Sequence, residues 1–335
     1  MGALLNCADG CRRTTEVAVD MPSSSWEVVF SAPSSPIYAL AGTSDGALFA
    51  GGGGRVYRAL AQDDYRNWTP IVDTTLRVVG LYAFNKASVA MRTAGGVTLL
   101  GEVEGRWRAL PIAIPDSLLG NGRIVGRPLL LDIWGRSPTD VYAVGTLGTI
   151  LHFDGARWRR EHSPLDSLAA ESTANQSIVV GVGGDGTRTF AAGDVALQKA
   201  ADSWSRIDPS AAKGCSSHAV VTTRAGSRSG QEIIFGGGDY LSRIPCLWTL
   251  SGAAVGLPSQ GLKLHDALFQ GRSQDDGTAL FWTYGGEAVE IAGDRVTRIY
   301  RLARFREFAG AVNIGDFLYF AGDTGAFVVA RVRRR

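Results

Sequence analysis

Lysine is nearly missing from this sequence: 4 of its 34 basic residues are lysine and the rest arginine. That bias suits a high-GC genome and points to no activity. Charge of one sign is also missing. The 34 Lys+Arg stand against 32 Asp+Glu, for a formal net charge of +2. Proteins built to bind nucleic acid carry a concentrated basic excess, so that class is excluded. No apolar run approaches the ~18 residues that a membrane-crossing helix needs. Helical periodicity of useful length is missing throughout, which leaves strands as the building material. There are only 4 histidines and 4 cysteines among 335 residues. The histidines, His152, His162, His218 and His265, have no ligand-like partner at short spacing, so no metal site is expected. Walker, dinucleotide and G-x-S-x-G motifs are missing in context, and no cofactor is expected.

Glycine and tryptophan turns are what the sequence has instead. Gly makes up 43 of 335 residues, without a period of three, which excludes collagen. The clearest unit is Leu130–His162, with short alternating runs over 130–135, 140–145, 149–154 and 157–162. Turns rich in Ser, Pro, Asp and Gly separate them, the pattern of antiparallel hairpins. Gly-containing turns after an apolar strand end recur at 49–54, 92–96, 143–148, 191–194, 235–239, 283–287 and 321–325. Tight turns with positive φ are the expected reason for glycine there. Trp26, Trp68, Trp107, Trp158 and Trp204 open the fourth strands, and Val255 and Val296 take the same place in two weaker copies. Successive markers are 42, 39, 51, 46, 51 and 41 residues apart. Repeats of this length with four strands each predict a β-propeller.

The chain ends predict how the ring closes. After the last glycine turn only one strand, 326–332, remains, whereas Ser24–Ala32 reads as a fourth strand with no first three before it. The N-terminal strand therefore completes the last blade, three strands plus one. Seven blades are expected, over 37–73, 78–112, 129–163, 177–208, 218–258, 264–302, and 307–332 plus 24–32. Residues 1–22 read as a loose tail before a single all-β domain over 23–335.

The stretch DIWGRSPTDVYAVGTLGTILHFDGARW within this unit resembles a bacterial propeller repeat. Through it the chain resembles the photosystem II assembly and stability factor family and, more distantly, the Asp-box sialidases. The likeness is strong over 130–162, partial over 37–112 and weak over 218–300. It implies a seven-bladed fold and an extracytoplasmic binding role, but no activity. The sialidase chemistry is poorly matched. Arg243-Ile244-Pro245 falls in blade five, and Ser273-Gln274-Asp275-Asp276-Gly277 is a partial Asp box with Trp282 two positions late. That segment is read as a hairpin turn.

Cys215 and Cys246 are the candidates for a disulfide, and two free thiols remain the alternative. Leu4-Leu5-Asn6-Cys7 resembles the end of a lipoprotein signal, making Cys7 the candidate lipid anchor, although Asn6 departs from the small residue expected there. Arg331, Arg333, Arg334 and Arg335 offer a basic end that could meet an anionic surface. Two connections between blades, 113–128 and 163–176, are long, and long loops on a rigid scaffold are where recognition concentrates. They supply Leu118, Leu119, Arg123, Arg127, Leu165, Asp166 and Glu171 as partner-binding candidates, with His162 at the blade end beside them. The sequence thus predicts a non-catalytic interaction or assembly propeller, outside the cytoplasm and associated with a membrane complex. The rival reading is a carbohydrate-active propeller, lectin or glycosidase.

Overall fold

The computed structural model describes residues 17–21, 26–32, 36–110, 114–115, 118, 128–166, 178–207, 216–224, 231–238, 245–250 and 268–334, apart from 95, 275, 284, 294, 303, 304 and 306. It is a seven-bladed β-propeller. Seven sheets are present, and neighbouring sheets pack on one another in ring order, with blade seven against blade one. Blades one to four run over Ala39–Asp73, Val78–Ala109, Leu130–Arg160 and Val179–Ile207, each an antiparallel meander in chain order. Blade five has three described strands within Ser216–Thr249, and the position of its expected marker, Val255, lies outside the described residues. Blade six spans Leu268–Leu302. Blade seven is built from Glu307–Ile314, Phe317–Asp323 and Phe327–Arg333, completed by the N-terminal strand Glu27–Ser31. The three-plus-one closure expected from the chain ends is present.

Within the span expected as a loose tail, Val17–Met21 forms a strand. It pairs parallel with Arg295–Leu302 and gives blade six a fifth strand.

The core is divided. Each of the seven gaps between neighbouring blades holds its own cluster of buried apolar side chains. A lone twisted sheet cannot bury both faces, and stacking blades in a ring buries both at once. The marker tryptophans close the outer ends of these gaps. Trp158 and Trp204 are buried, Trp68 stacks on Phe30 with ring centroids 4.8 Å apart, and Trp26 packs on Phe305 at 5.6 Å.

The reason for part of the recurring glycine differs from the expected one. Gly54 and Gly148 do carry positive φ, +86° and +61°. Gly52, Gly145 and Gly193, which end the second strands of blades one, three and four, do not. A Cβ on them would lie 1.7, 2.0 and 2.0 Å from the carbonyl oxygens of Pro36, Leu129 and Ile178. The backbone entering each innermost strand crosses directly over the end of the second strand, so only hydrogen fits.

Ion pairs lock the closure. Arg331, expected in a basic surface patch, is instead 6% exposed, with one guanidinium nitrogen 2.7 Å from each Asp64 carboxylate oxygen and Nε 3.0 Å from Glu27. Arg66 joins Glu27 and Asp64, so N-terminal strand, C-terminal strand and blade one share one network. The Arg331 hydrogen bonds hold the Asp64 carboxyl down at about 2. Arg334 is likewise spent, reaching Asp276 at 2.7 Å and the buried Glu290 at 3.0 Å. Arg333 is exposed beside Asp316, and Arg335 lies outside the described residues. The basic end therefore does not form as a patch, because its inner members face carboxylates.

Candidate functional site

Strand direction fixes two faces. Links between blades and the turns between second and third strands share one face, here the link face; the remaining turns share the opposite face. The innermost strands begin at the link face, and there a cavity of 440 Å³ opens at the channel mouth.

Its wall comes from one repeated backbone irregularity. The innermost strands of six blades skip register at the same point: between 78 and 80, 130 and 132, 179 and 181, 217 and 219, 268 and 270, and 308 and 310. A β-bulge turns its extra residue out of the ladder and re-aims the side chain. Val79, Leu131, Val180, Phe269 and Ala309, extra residues of five of these bulges, line the cavity. Tyr38 stands at the corresponding offset of blade one, its N–H donating to the Gly51 carbonyl at 2.8 Å, and lines it too. His218 occupies the equivalent backbone position in blade five.

Aromatic and cationic groups rim this apolar ring. Phe308 and Phe327 add aromatic surface, and Tyr38 lies 6.2 Å from Phe327. The Arg77 guanidinium sits 3.5 Å from the Tyr38 ring centroid. Arg92 spends N–H groups on the carbonyls of Leu130 and Val79, at 2.7 and 3.0 Å. Asp323 also lines the cavity, with one oxygen occupied by the Gly325 N–H at 2.6 Å.

Arg272 of blade six reaches across the channel to Asp132 of blade three, 2.8 Å between Nη2 and Oδ1. Asp132 also accepts the Val182 N–H at 3.0 Å. Burial works against the Arg272 charge, but Asp132 more than compensates and raises its pKa. A second cavity of 170 Å³, lined by Arg272, Arg136 and Tyr82 among others, opens at the opposite face and shares no lining residue with the first.

A second polar constellation lies between blades three and four. His152 stacks on buried Tyr142, centroids 4.2 Å apart, and its nitrogens meet Asp140 at 2.9 Å and Glu161 at 3.1 Å. Glu161 also accepts Lys199 and the Trp204 indole N–H, the latter at 2.6 Å. Burial alone would raise the Glu161 carboxyl; the bonds from His152, Lys199 and Trp204 override it and hold the group at about 2. The charges here are matched across the two blades, so this cluster joins them. His152 is thus a packed residue.

The expected partner residues are dispersed. Leu165 is 1% exposed and packs in the cluster between blades three and four, so it is a core residue and cannot anchor a partner. Leu118 is half-buried against the cluster between blades two and three. His162 is exposed and meets Asp166 at 3.3 Å, while Asp166 also accepts the Ser163 N–H at 3.0 Å. Leu119, Arg123, Arg127, Glu171, Cys7 and Cys215 lie outside the described residues. Cys246 is disulfide-bonded. The partial Asp box is a hairpin turn, with Gln274 and Thr278 paired across it and Asp276 holding Thr278; Asp275 and Arg243 fall outside the described residues.

The fold and mouth define the class, a seven-bladed propeller with an apolar-walled cup on its link face. No family model and no curated protein matches the sequence. Solved structures do. A streptogramin B lyase structure matches at TM-score 0.64 and 12% identity, covering 92% of this chain and 97% of that one. A chain of the mitotic checkpoint complex matches at 0.62 and 13%, covering 99% and 98%. YCF48 bound to a D1 peptide matches at 0.59 and 12%, covering 94% and 98%. At such identities the likeness is one of fold, and the fold hosts both assembly proteins and an enzyme.

Proposed function

We propose that this propeller is a non-catalytic interaction or assembly subunit that seats a protein partner on its link face. The observation that carries the reading is the placement of exposed apolar surface. Leu76 and Leu129, 45% and 60% exposed, stand just before the innermost strands of blades two and three, on the cup's face. Exposed leucines at two neighbouring blade entries, on the face where a concave apolar wall opens, fit a docking surface more than a reactive centre. The named neighbours, YCF48 with its peptide and the checkpoint complex, agree with that use of the fold. We place the partner outside the cytoplasm, at a membrane-associated complex of a bacterial envelope. The disulfide at Cys246 supports an oxidising compartment, where such bonds persist.

Affinity purification from gently solubilised native membranes tests the reading. A stoichiometric companion is expected with the unaltered protein and with Val103→Glu, an exposed site on the opposite face. It should be lost in the Leu76→Glu/Leu129→Glu double variant and on deletion of residues 115–126. A companion retained by the double variant would overturn the assignment of the face.

A further inference from the structure

We infer that the channel-mouth cup is a recognition pocket for an extended acidic peptide segment, which inserts one large apolar side chain and places a carboxylate on Arg77. This rests on the reading of the link face as the docking face and gives that face its chemistry. Three observations converge. First, the repeated bulges deliver Val79, Leu131, Val180 and Phe269 to one level of the channel, forming an apolar wall no single blade could build. A bulge disrupts its ladder, and repeating one at the same point in six blades uses that disruption to aim side chains inward. Second, the Asp132–Arg272 pair spans from blade three to blade six, and the cavities at the two faces share no lining residue, so the cup suits an inserted side chain more than a threaded chain. Its 440 Å³ lies in the range of sites that take a compact ligand group.

Third, charge selects the neighbour of that side chain. The Arg77 guanidinium carbon sits over the Tyr38 ring, 3.5 Å from its centroid, and among the described residues no carboxylate reaches it. A guanidinium stacked on a ring keeps its N–H edge pointing outward in a fixed plane, which suits bidentate capture of a carboxylate. Arg92 gives N–H groups to two carbonyls, and Asp323, the one carboxylate lining the cup among the described residues, has one oxygen held by the Gly325 N–H. Arg77 is therefore the rim cation with an uncommitted edge. A peptide that fills the ring with leucine or phenylalanine and carries a carboxylate one residue away satisfies both halves of the site.

Titration calorimetry on the full chain tests this with three probes: acetyl-Gly-Leu-Phe-Glu-amide, its glutamine counterpart, and acetyl-Gly-Gly-Leu-Phe with a free carboxyl terminus. The two acidic probes separate a side-chain carboxylate from a chain end. At least one should bind about tenfold more tightly than the glutamine peptide, the scale of one charge-assisted contact. Arg77→Gln should erase that preference and leave the glutamine peptide unchanged. Arg106→Gln, exposed at the opposite face, should preserve it. Phe269→Ala should weaken all three probes alike. Absence of binding by both acidic probes, or a preference that survives Arg77→Gln, would overturn the inference. If the companion of the previous test is still captured through Leu76 and Leu129 while the probes fail, the docking face stands and only the pocket chemistry falls.

Discussion

Replacing Glu161 by glutamine isolates the charge that joins blades three and four. The carboxyl is held near 2 against an ordinary value of 4.5, by His152, Lys199 and Trp204 acting against burial. A carboxyl depressed on folding adds stability that is fully present above its unfolded value and lost as pH falls through its folded value. With each tenfold change in proton affinity worth about 1.4 kcal/mol, the ionised form is worth about 3 kcal/mol at pH 7. Glutamine keeps the shape and an acceptor for the Trp204 N–H but mimics the neutral form. Urea unfolding of both proteins should therefore differ by about 3 kcal/mol at pH 7, about 1.5 kcal/mol at pH 3, and little at pH 2. Carboxylates elsewhere, Asp64 and Asp185 among them, titrate in both proteins and cancel in the difference. A gap that stays constant from pH 7 to pH 2.5 would refute the assignment of the charge to this network.

Gly145→Ala should destabilise by about 3 kcal/mol or more in thermal or urea unfolding, because the new Cβ would sit 2.0 Å from the Leu129 carbonyl. A neutral substitution would contradict the close approach. Arg331→Leu should make the N-terminal strand the first site of limited proteolysis, because it removes the buried guanidinium that ties Glu27 and Asp64 to the C-terminal strand. Cleavage that begins elsewhere would count against the clamp. Cys246 should resist alkylation in denatured, unreduced protein and react after reduction, with Cys246→Ser costing about 2–4 kcal/mol. Alkylation of Cys246 without reductant would contradict the bond.

The architecture was readable because each blade repeats its own local grammar. Alternating strands, turn residues and a marker tryptophan recur within about fifty residues, and the unmatched strand near Trp26 announced the closure. The cup was not readable for the opposite reason. Its wall takes one residue from each of several blades, about forty to fifty residues apart, and Val79 or Phe269 looks like any other strand residue. Only the backbone register reveals the bulge that turns them inward. Asp132 and Arg272 are 140 residues apart, so no spacing rule pairs them. Leu165 misled because it stands in a connection yet folds back into the gap beneath it. Arg331 and Arg334 misled because clustered arginines look like a surface patch until the acids facing them, Asp64 and Glu290, are brought close by ring closure. The glycine pattern located the strand ends correctly, although half of its cause is a crossing carbonyl and not the turn.

Hydrogen exchange on the isolated protein and on its co-purified complex tests the central claim most directly. The account predicts slowed exchange where the innermost strands begin, around Tyr38, Arg77, Leu129 and Phe269, with turns of the opposite face such as Gly105 and Gly315 unchanged. Protection confined to the opposite face or to the outer strands, with the cup left as exposed as in the isolated protein, would contradict it.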